Sequence, residues 1–343
     1  MKPALRILES GIASSLQDCG RPGYRHFGVP VCGALDAVSL AIANVLAGNP
    51  PCTAAIEILG AGLALEVEAE SITFAIAGTL PPFTLETGMA RLRYPPLRSV
   101  SARRGDILRI PAPKGGAVAY LAVDGGFDIE PALGSRSTYM RAALGGYRGR
   151  ALAAGGRLPL RLAGSERPAV CLDAEIRAPE VLRLMRGPNA EYFHPSAFEA
   201  LLGSAYAVSA ASDRMGLRLQ GPRLQLAGEN ELPSQGTTPG ALQVPPGGQP
   251  ILLLADRQTT GGYPVIATVI GAGIADAGRL APGMSVRFQE VSRDEAVELL
   301  SARQAWLASL QQALKPISGG PLSAEELLRA NLIGGVTAGM SED

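Results

Sequence analysis

Lysine is nearly missing from this sequence: only Lys2, Lys114 and Lys315 occur among its 31 basic residues, which are matched by 31 acidic ones. Charges so balanced give no electrostatic case for nucleic acid or for an anionic membrane surface, so small molecules and protein partners are the expected ligands. No lysine is followed by Ser or Thr, which excludes the phosphate-cradling loop ending in Gly-Lys-Ser/Thr. Gly60-Ala61-Gly62 and Gly271-Ala272-Gly273 lack the third glycine of a dinucleotide fingerprint, with Leu65 and Asp276 in its place. The Gly-x-Ser-x-Gly elbow of serine hydrolases is missing too. Histidine occurs only at His26 and His194, too few and too far apart to suggest a histidine-based metal site, and no metal is expected. Cys19, Cys32, Cys52 and Cys171 contain no Cys-x-x-Cys pair and read as free thiols of a reducing compartment, used in packing. No run of 18 apolar residues exists, and Lys2, Arg6 and Glu9 interrupt any leader-like start, so a cytoplasmic protein is expected.

What is present is a chain of 343 residues, 47% apolar, with room for two domains or for one large β-rich domain with additions. Short apolar runs at Ile72–Ala77, Ile107–Ile110 and Ala117–Val123 are punctuated by Gly, Pro and Asp, the texture of strands and turns. One helix stands out in the first half: Val38, Ile42 and Val45 recur at helical spacing, Asp36 can cap the start, and Gly48 and Pro50 supply the stop. The first half is expected to close near residue 165, with Ala163–Pro179 as a linker, and a second β domain to run over residues 178–292. Past Val291, Ala296, Leu299, Leu300, Trp306, Leu307, Leu310 and Leu314 predict a helical extension over 293–343, with a further short helix over Ser323–Leu332.

Two polar loops carry the candidate chemistry. Asp256-Arg257-Gln258-Thr259-Thr260-Gly261-Gly262-Tyr263-Pro264 lies between the strand-like runs Ile251–Ala255 and Val265–Ile270, as a binding loop on a rigid sheet would. Its bland alternative is a tight connection whose threonines satisfy their own backbone. Ser14–His26 gathers Gln17, Asp18, Arg21, Tyr24, Arg25 and His26 around Gly and Pro, where the alternative is a solvated turn. Glu57, flanked by Ile56 and Ile58, is either a buried carboxylate needing a partner such as Arg21 or Arg25, or an outward-facing residue of a half-exposed strand. With Arg214 and Gln243, these groups suit a small polar ligand held by hydrogen bonds, with arginine available for a carboxylate. Asp256→Asn and Gln258→Ala are expected to spare the fold and reduce ligand-dependent turnover.

Taken together, Gln17-Asp18-x-Gly20-Arg21-x-Gly23, Gly28-Val29-x-x-x-Gly33-Ala34-Leu35-Asp36, Ala43-Asn44-x-Leu46-x-Gly48-Asn49, Ala55-x-Glu57, Asp213-Arg214-Met215-Gly216, Pro239-Gly240-x-x-Gln243-Val244-Pro245 and Gln258–Pro264 follow one another in a known order. The chain resembles the biotin-dependent carboxyltransferase/allophanate hydrolase subunit 2 family, and within it the branch formed by the C subunits of bacterial 5-oxoprolinases. Two stretches depart mildly from the family pattern, Ser234–Gly240 and Ala75–Thr79.

The resemblance implies a mainly β fold of two cyclophilin-like β-barrel domains with a few helices and a helical C-terminal extension. It also implies two partners, a KipI-like subunit and a LamB/YcsF-like subunit, with which the chain would open 5-oxoproline to glutamate at the expense of ATP. Without a phosphate loop, ATP would be held by another device shared with the KipI-like subunit, and the loops around Gln17 and Gln258 are expected at that shared pocket. The substrate-binding set so implied is Gln17, Asp18, Arg21, Tyr24, Asp36, Glu57, Arg214, Gln243, Asp256, Arg257, Gln258, Thr259, Thr260, Gly261, Gly262 and Tyr263. One alternative is the carboxyltransferase component of a urea or amide carboxylase, with biotin brought by another protein, since no lysine lies in a Met-Lys-Met context. Another is a non-catalytic regulator of the Kip-antagonist type.

Overall fold

The computed structural model describes residues 2–88, 90–162, 164, 167–228 and 232–317. The helix expected over Ser323–Leu332 lies outside them. Strands dominate, and the first half arranges them as two facing sheets. A six-stranded sheet runs Arg157–Pro159, Ala4–Glu9, Leu63–Val67, Ile107–Ile110, Phe83–Glu86, Arg91–Tyr94. A seven-stranded sheet runs Ser15–Gln17, Ala55–Leu59, Val118–Val123, Ser71–Gly78, Arg98–Arg103, Val170–Cys171, Lys315–Pro316.

Alternation decides what each face of the second sheet meets, because successive side chains point to opposite sides. Ile56, Ile58, Phe74, Ile76, Leu121 and Val123 point inward and pack with Leu5, Ile7, Leu65, Phe83 and Leu108 of the first sheet. The intervening Ala55, Ala75, Ala77 and Ala122 are small, and onto this second face the helix Ala37–Ala47 lays Leu40, Ile42 and Leu46. The helix begins where the sequence predicts: Asp36 accepts bonds from the backbone N–H of Val38 and Ser39 at 3.0 Å each, and Gly48 ends it in the left-handed region.

The second half closes into a seven-stranded barrel in the order Val181–Arg186, Val265–Val269, Ala241–Gln243, Ile251–Leu253, Gly216–Gln220, Tyr206–Val208, Ser285–Glu290. Closure comes from the parallel pairing of its first and last strands, Val181 with Arg287 through Leu184 with Glu290. Leu182, Leu184, Leu242, Leu252, Ile266, Val286 and Phe288 fill the interior, and the helix Pro195–Gly203 adds Ala197, Phe198 and Leu201 to the same core. The expectation of two barrels is therefore met in one half only. Period-two patterning specifies a buried and an outer face for each strand, and a sandwich and a barrel satisfy it equally.

Part of the expected linker is a strand, Val170–Cys171, at the edge of the seven-stranded sheet. The helix Arg293–Ala313, capped by Ser292, then carries the chain from the barrel to Lys315–Pro316, which pairs with that same edge. No described helix is long and apolar enough to cross a membrane.

The reading of four free thiols is corrected by a Cys19–Cys52 disulfide with a Cα separation of 5.3 Å. The cause is sheet register rather than sequence spacing: Gln17 lies opposite Ala55 on antiparallel strands, so the chain just beyond each strand end meets the other. Cys32 is buried and Cys171 half-buried, both unbridged. Burial pushes the Cys32 thiol up to about 12, the nearby Asp256 carboxylate adding to the effect. The thiolate is the reacting form, so in native protein at pH 8 an alkylating reagent should modify Cys171 well ahead of Cys32, with Cys19 and Cys52 reacting only after reduction. Peptide mapping of the alkylated sites is the check, and equally rapid modification of Cys32 would contradict it.

Candidate functional site

Glu57 is the residue around which the seam between the two halves is built. Its strand places it on the helix-covered face of the sheet, directly opposite Tyr120 and without exposure to solvent. One oxygen accepts bonds from the Tyr120 hydroxyl at 2.6 Å and the Leu35 N–H at 2.9 Å, and the other receives Nη1 of Arg214 from the barrel. Arg214 continues to Asp256, donating Nε to Oδ2 at 2.9 Å and Nη2 to Oδ1 at 3.1 Å, and it also bonds the Gly33 carbonyl at 2.5 Å. Burial disfavours the Arg214 charge, but the Glu57 and Asp256 carboxylates outweigh it and hold the guanidinium well above its ordinary pKa. Burial also raises the Tyr120 hydroxyl well above its usual value, with the Glu57 and Asp36 charges acting in the same direction, so it stays a donor.

A second ion pair crosses the same seam. Arg279 donates Nε to Asp36 at 2.6 Å and Nη2 at 3.2 Å, and its Nη1 lies 3.0 Å from Asp276, which also pairs with Arg303 at 2.9 Å. Asp36 thus serves as helix cap and inter-half anchor at once. Glu57 is buried as one reading required, but its partner is Arg214 rather than Arg21 or Arg25.

The loop at the start of the chain is held by Asp18. Its Oδ1 accepts from the Gly20 N–H, Ser135 Oγ and Ser137 Oγ at 2.8, 2.6 and 2.5 Å, and its Oδ2 from the Arg136 N–H at 2.6 Å. Beside it Gln17 donates to Ser15 Oγ at 2.9 Å and the Thr138 carbonyl at 3.1 Å, while its own Oε1 is buried without a partner. Arg21 is buried against the carbonyls of Ala132 and Ser137. Tyr24 is half-buried on the same loop.

The two polar loops meet. Arg25 reaches across the seam and donates to the carbonyls of Thr237 and, at 3.2 Å, Thr259. On the barrel side Gln258 donates to the Gln243 side chain at 3.0 Å, and Gln243 lies 3.5 Å from the Tyr263 carbonyl. Thr260-Gly261 pairs with Gln235-Gly236 in a two-stranded ribbon, Gly262 follows it, and Tyr263 is exposed. Gly261 packs closely on both amides: a Cβ there would come within 2.7 Å of Gln243 Nε2 and 3.2 Å of Gln258 Nε2, so a side chain would displace the glutamine ends.

A cavity of about 570 Å³ lies in the seam, walled mainly by apolar side chains such as Leu35, Leu59, Met215 and Leu254. Of the expected site residues only Arg214 and Asp256 line it; Arg141 and Asp213, an exposed pair 3.3 Å apart, lie on its wall. Asp36 and Glu57 stand in the two ion pairs of the seam, and the remaining expected residues divide between the Asp18 loop and the barrel-side group of Gln243 and residues 257–263. Sequence reasoning missed Tyr120, Arg279, Ser135 and Ser137. Tyr120 is an apolar-run residue by its neighbours, and only its place opposite Glu57 reveals its role. Among the described residues no group of three or more His, Cys, Asp or Glu side chains is arranged to hold a metal ion.

Comparison with known proteins decides the lineage. Residues 27–290 match the family model described as "Carboxyltransferase domain, subdomain A and B". The chain belongs to this carboxyltransferase family. The carboxyltransferase-family chain is 35% identical over 306 residues to the 5-oxoprolinase C subunit of Escherichia coli, covering 89% of itself and 97% of that relative. It is 36% identical over 310 residues to the 5-oxoprolinase C subunit of Haemophilus influenzae, with the same coverage of 89% and 97%. Among solved structures, the Kluyveromyces lactis urea amidolyase superposes with a TM-score of 0.80 at 27% identity, over 94% of this carboxyltransferase-family chain and 21% of that much longer one.

Proposed function

We propose that the chain is one subunit of a 5-oxoprolinase, acting with a KipI-like subunit and a LamB/YcsF-like subunit in the ATP-dependent ring opening of 5-oxo-L-proline to L-glutamate. The observation that carries this reading is the coverage of 97% of two 5-oxoprolinase C subunits at 35% and 36% identity. The site chemistry agrees with it. A lactam with a carboxylate needs amide-pairing groups and a cation, and the seam offers Gln243, Gln258, Arg25 and Arg257. ATP supplies a phosphoryl group that turns the lactam oxygen into a leaving group, and the residues of this chain contribute binding and orientation.

A second reading, a carboxyltransferase component acting on urea or another amide with biotin carried by a separate protein, is favoured by the superposition on urea amidolyase. Copurification with the partner subunits followed by assay separates the two. ATP hydrolysis dependent on 5-oxoproline supports the first; an inert complex that consumes bicarbonate with a biotinylated carrier overturns it. In the active complex Gln258→Ala should lower turnover about tenfold, the equivalent of one good hydrogen bond, while leaving the melting temperature within about 2 °C of wild type. Wild-type turnover in this variant would remove the Gln243–Gln258 pair from the site.

A further inference from the structure

Four arginines among the described residues are at least nine-tenths buried: Arg21, Arg214, Arg257 and Arg279. A buried charge needs a counter-charge, and two of them have one, Glu57 and Asp256 for Arg214, and Asp36 and Asp276 for Arg279. Arg21 and Arg257 pair with no carboxylate among the described residues. Arg21 bonds only to main-chain carbonyls and has an unpartnered Nη1, but the Ser137 whose carbonyl it holds gives its hydroxyl to the Asp18 carboxylate, whose four donors are all neutral, so Asp18 is the carboxylate of its own loop.

Arg257 has no such neighbour. It is 5% exposed, its one hydrogen bond goes from Nη1 to the Leu254 carbonyl at 3.3 Å, and its Nε is buried with no partner. The adjacent Asp256 has both oxygens occupied by Arg214. Cys32 also acts on it, but that thiol, pushed up to about 12, stays protonated at neutral pH. The next cation, Arg25, makes matters worse. Burial first, and the Arg25 charge second, push Arg257 down to about 10. Arg25 itself rests on the Thr237 and Thr259 carbonyls and forms no ion pair with the described residues. Thr259 lies two residues along the chain from Arg257, so two guanidinium groups gather at the seam, one of them buried with a spare donor, and no carboxylate among the described residues pairs with either.

We propose that Arg25 and Arg257 form an oxyanion site, taking the carboxylate or phosphate group of a small ligand in the seam between the first-half loop and the barrel. An anion there accepts from the free Nε of Arg257 and from Arg25, which is half-buried and forms the outer wall next to exposed Thr260. The Gln243–Gln258 pair stands beside it to read whatever is attached to the anion. The inference rests on the 5-oxoprolinase reading only for which carboxylate would enter; the unbalanced charge is independent of it.

The test uses the full chain without partners, followed by thermal unfolding and isothermal titration at constant ionic strength set with sodium chloride. Inorganic phosphate, 5-oxoproline and its uncharged amide are the probes. A saturable rise in melting temperature with phosphate or with 5-oxoproline, absent with chloride and with the amide, is the expected result. Arg257→Met should raise the half-saturating concentration roughly tenfold or more. Should that variant fail to fold, Arg25→Met, at a half-buried position, gives the same readout. Response to phosphate alone identifies a phosphate site, and response to 5-oxoproline alone a substrate-carboxylate site. If neither anion exceeds chloride, or if the arginine variants bind as wild type does, the proposal is overturned. A reconstituted complex inert toward 5-oxoproline, in which this chain still binds phosphate through Arg257, would sink the 5-oxoprolinase reading and leave this one standing.

Discussion

Arg214→Met is expected to destabilise the protein by about 3–5 kcal/mol, the range for removing one partner of a buried ion pair. The substitution leaves Glu57 with the Tyr120 hydroxyl and the Leu35 N–H, and leaves Asp256 without its two guanidinium bonds. Two carboxylates in the seam would then lack a cation. Because the folded state raises the arginine pKa, its contribution is complete below the value of an unfolded arginine and fades only as pH rises beyond it. Urea unfolding at pH 7, well below the arginine range, measures the deficit. A loss below 1 kcal/mol would show that the cluster does not hold the halves together. Asp256→Asn follows from the same geometry, since it weakens the Arg214 pair, and it should destabilise rather than spare the fold.

Asp36→Ala is the second large effect, about 3 kcal/mol. Loss of the side-chain cap on helix Ala37–Ala47 accounts for about 1 kcal/mol. The rest, about 2 kcal/mol, comes from Arg279, which loses both of its Asp36 bonds inside the seam but keeps Asp276, so that share falls below the range for a fully broken buried pair. Asp36→Asn separates the two roles, because an asparagine caps a helix as well as an aspartate but carries no charge. Thermal unfolding should place Asp36→Asn between wild type and Asp36→Ala; equality with wild type would mean that the Arg279 pair contributes nothing.

Much of the fold was legible because its signals are local. Asp36, the Val38-Ile42-Val45 spacing and Gly48 define the helix, and the apolar runs over 72–77 and 117–123 fall on the strands Ser71–Gly78 and Val118–Val123. The family resemblance implies that the loops around Gln17 and Gln258 share a pocket; Arg25 joins the two loops, while the seam cavity is lined by neither Gln17 nor Gln258. Pairing across long separations was not legible. Glu57 and Arg214 lie 157 residues apart, and nothing near Glu57 distinguishes Arg214 from Arg21 or Arg25 as its partner. The Cys19–Cys52 bond depends on strand register, and the sheet pair of the first half depends on how faces associate, neither of which a one-dimensional pattern contains. Glu57, Arg214, Asp36 and Asp256 belong to the binding set that the resemblance implies, yet a polar residue amid apolar runs signals a ligand and a buried partner equally. In the structure each of the four has its hydrogen bonds met from within the chain.

The pairing of Lys315–Pro316 with Val170–Cys171 has a consequence for how the molecule is made. Every residue of the barrel emerges from the ribosome between the two strands of that edge, so the N-terminal sheet remains one strand short until synthesis has passed beyond the barrel. Closing so wide a loop is entropically slow. The barrel is therefore free to mature first, and docking of the last strand becomes a late step that latches an already formed seam.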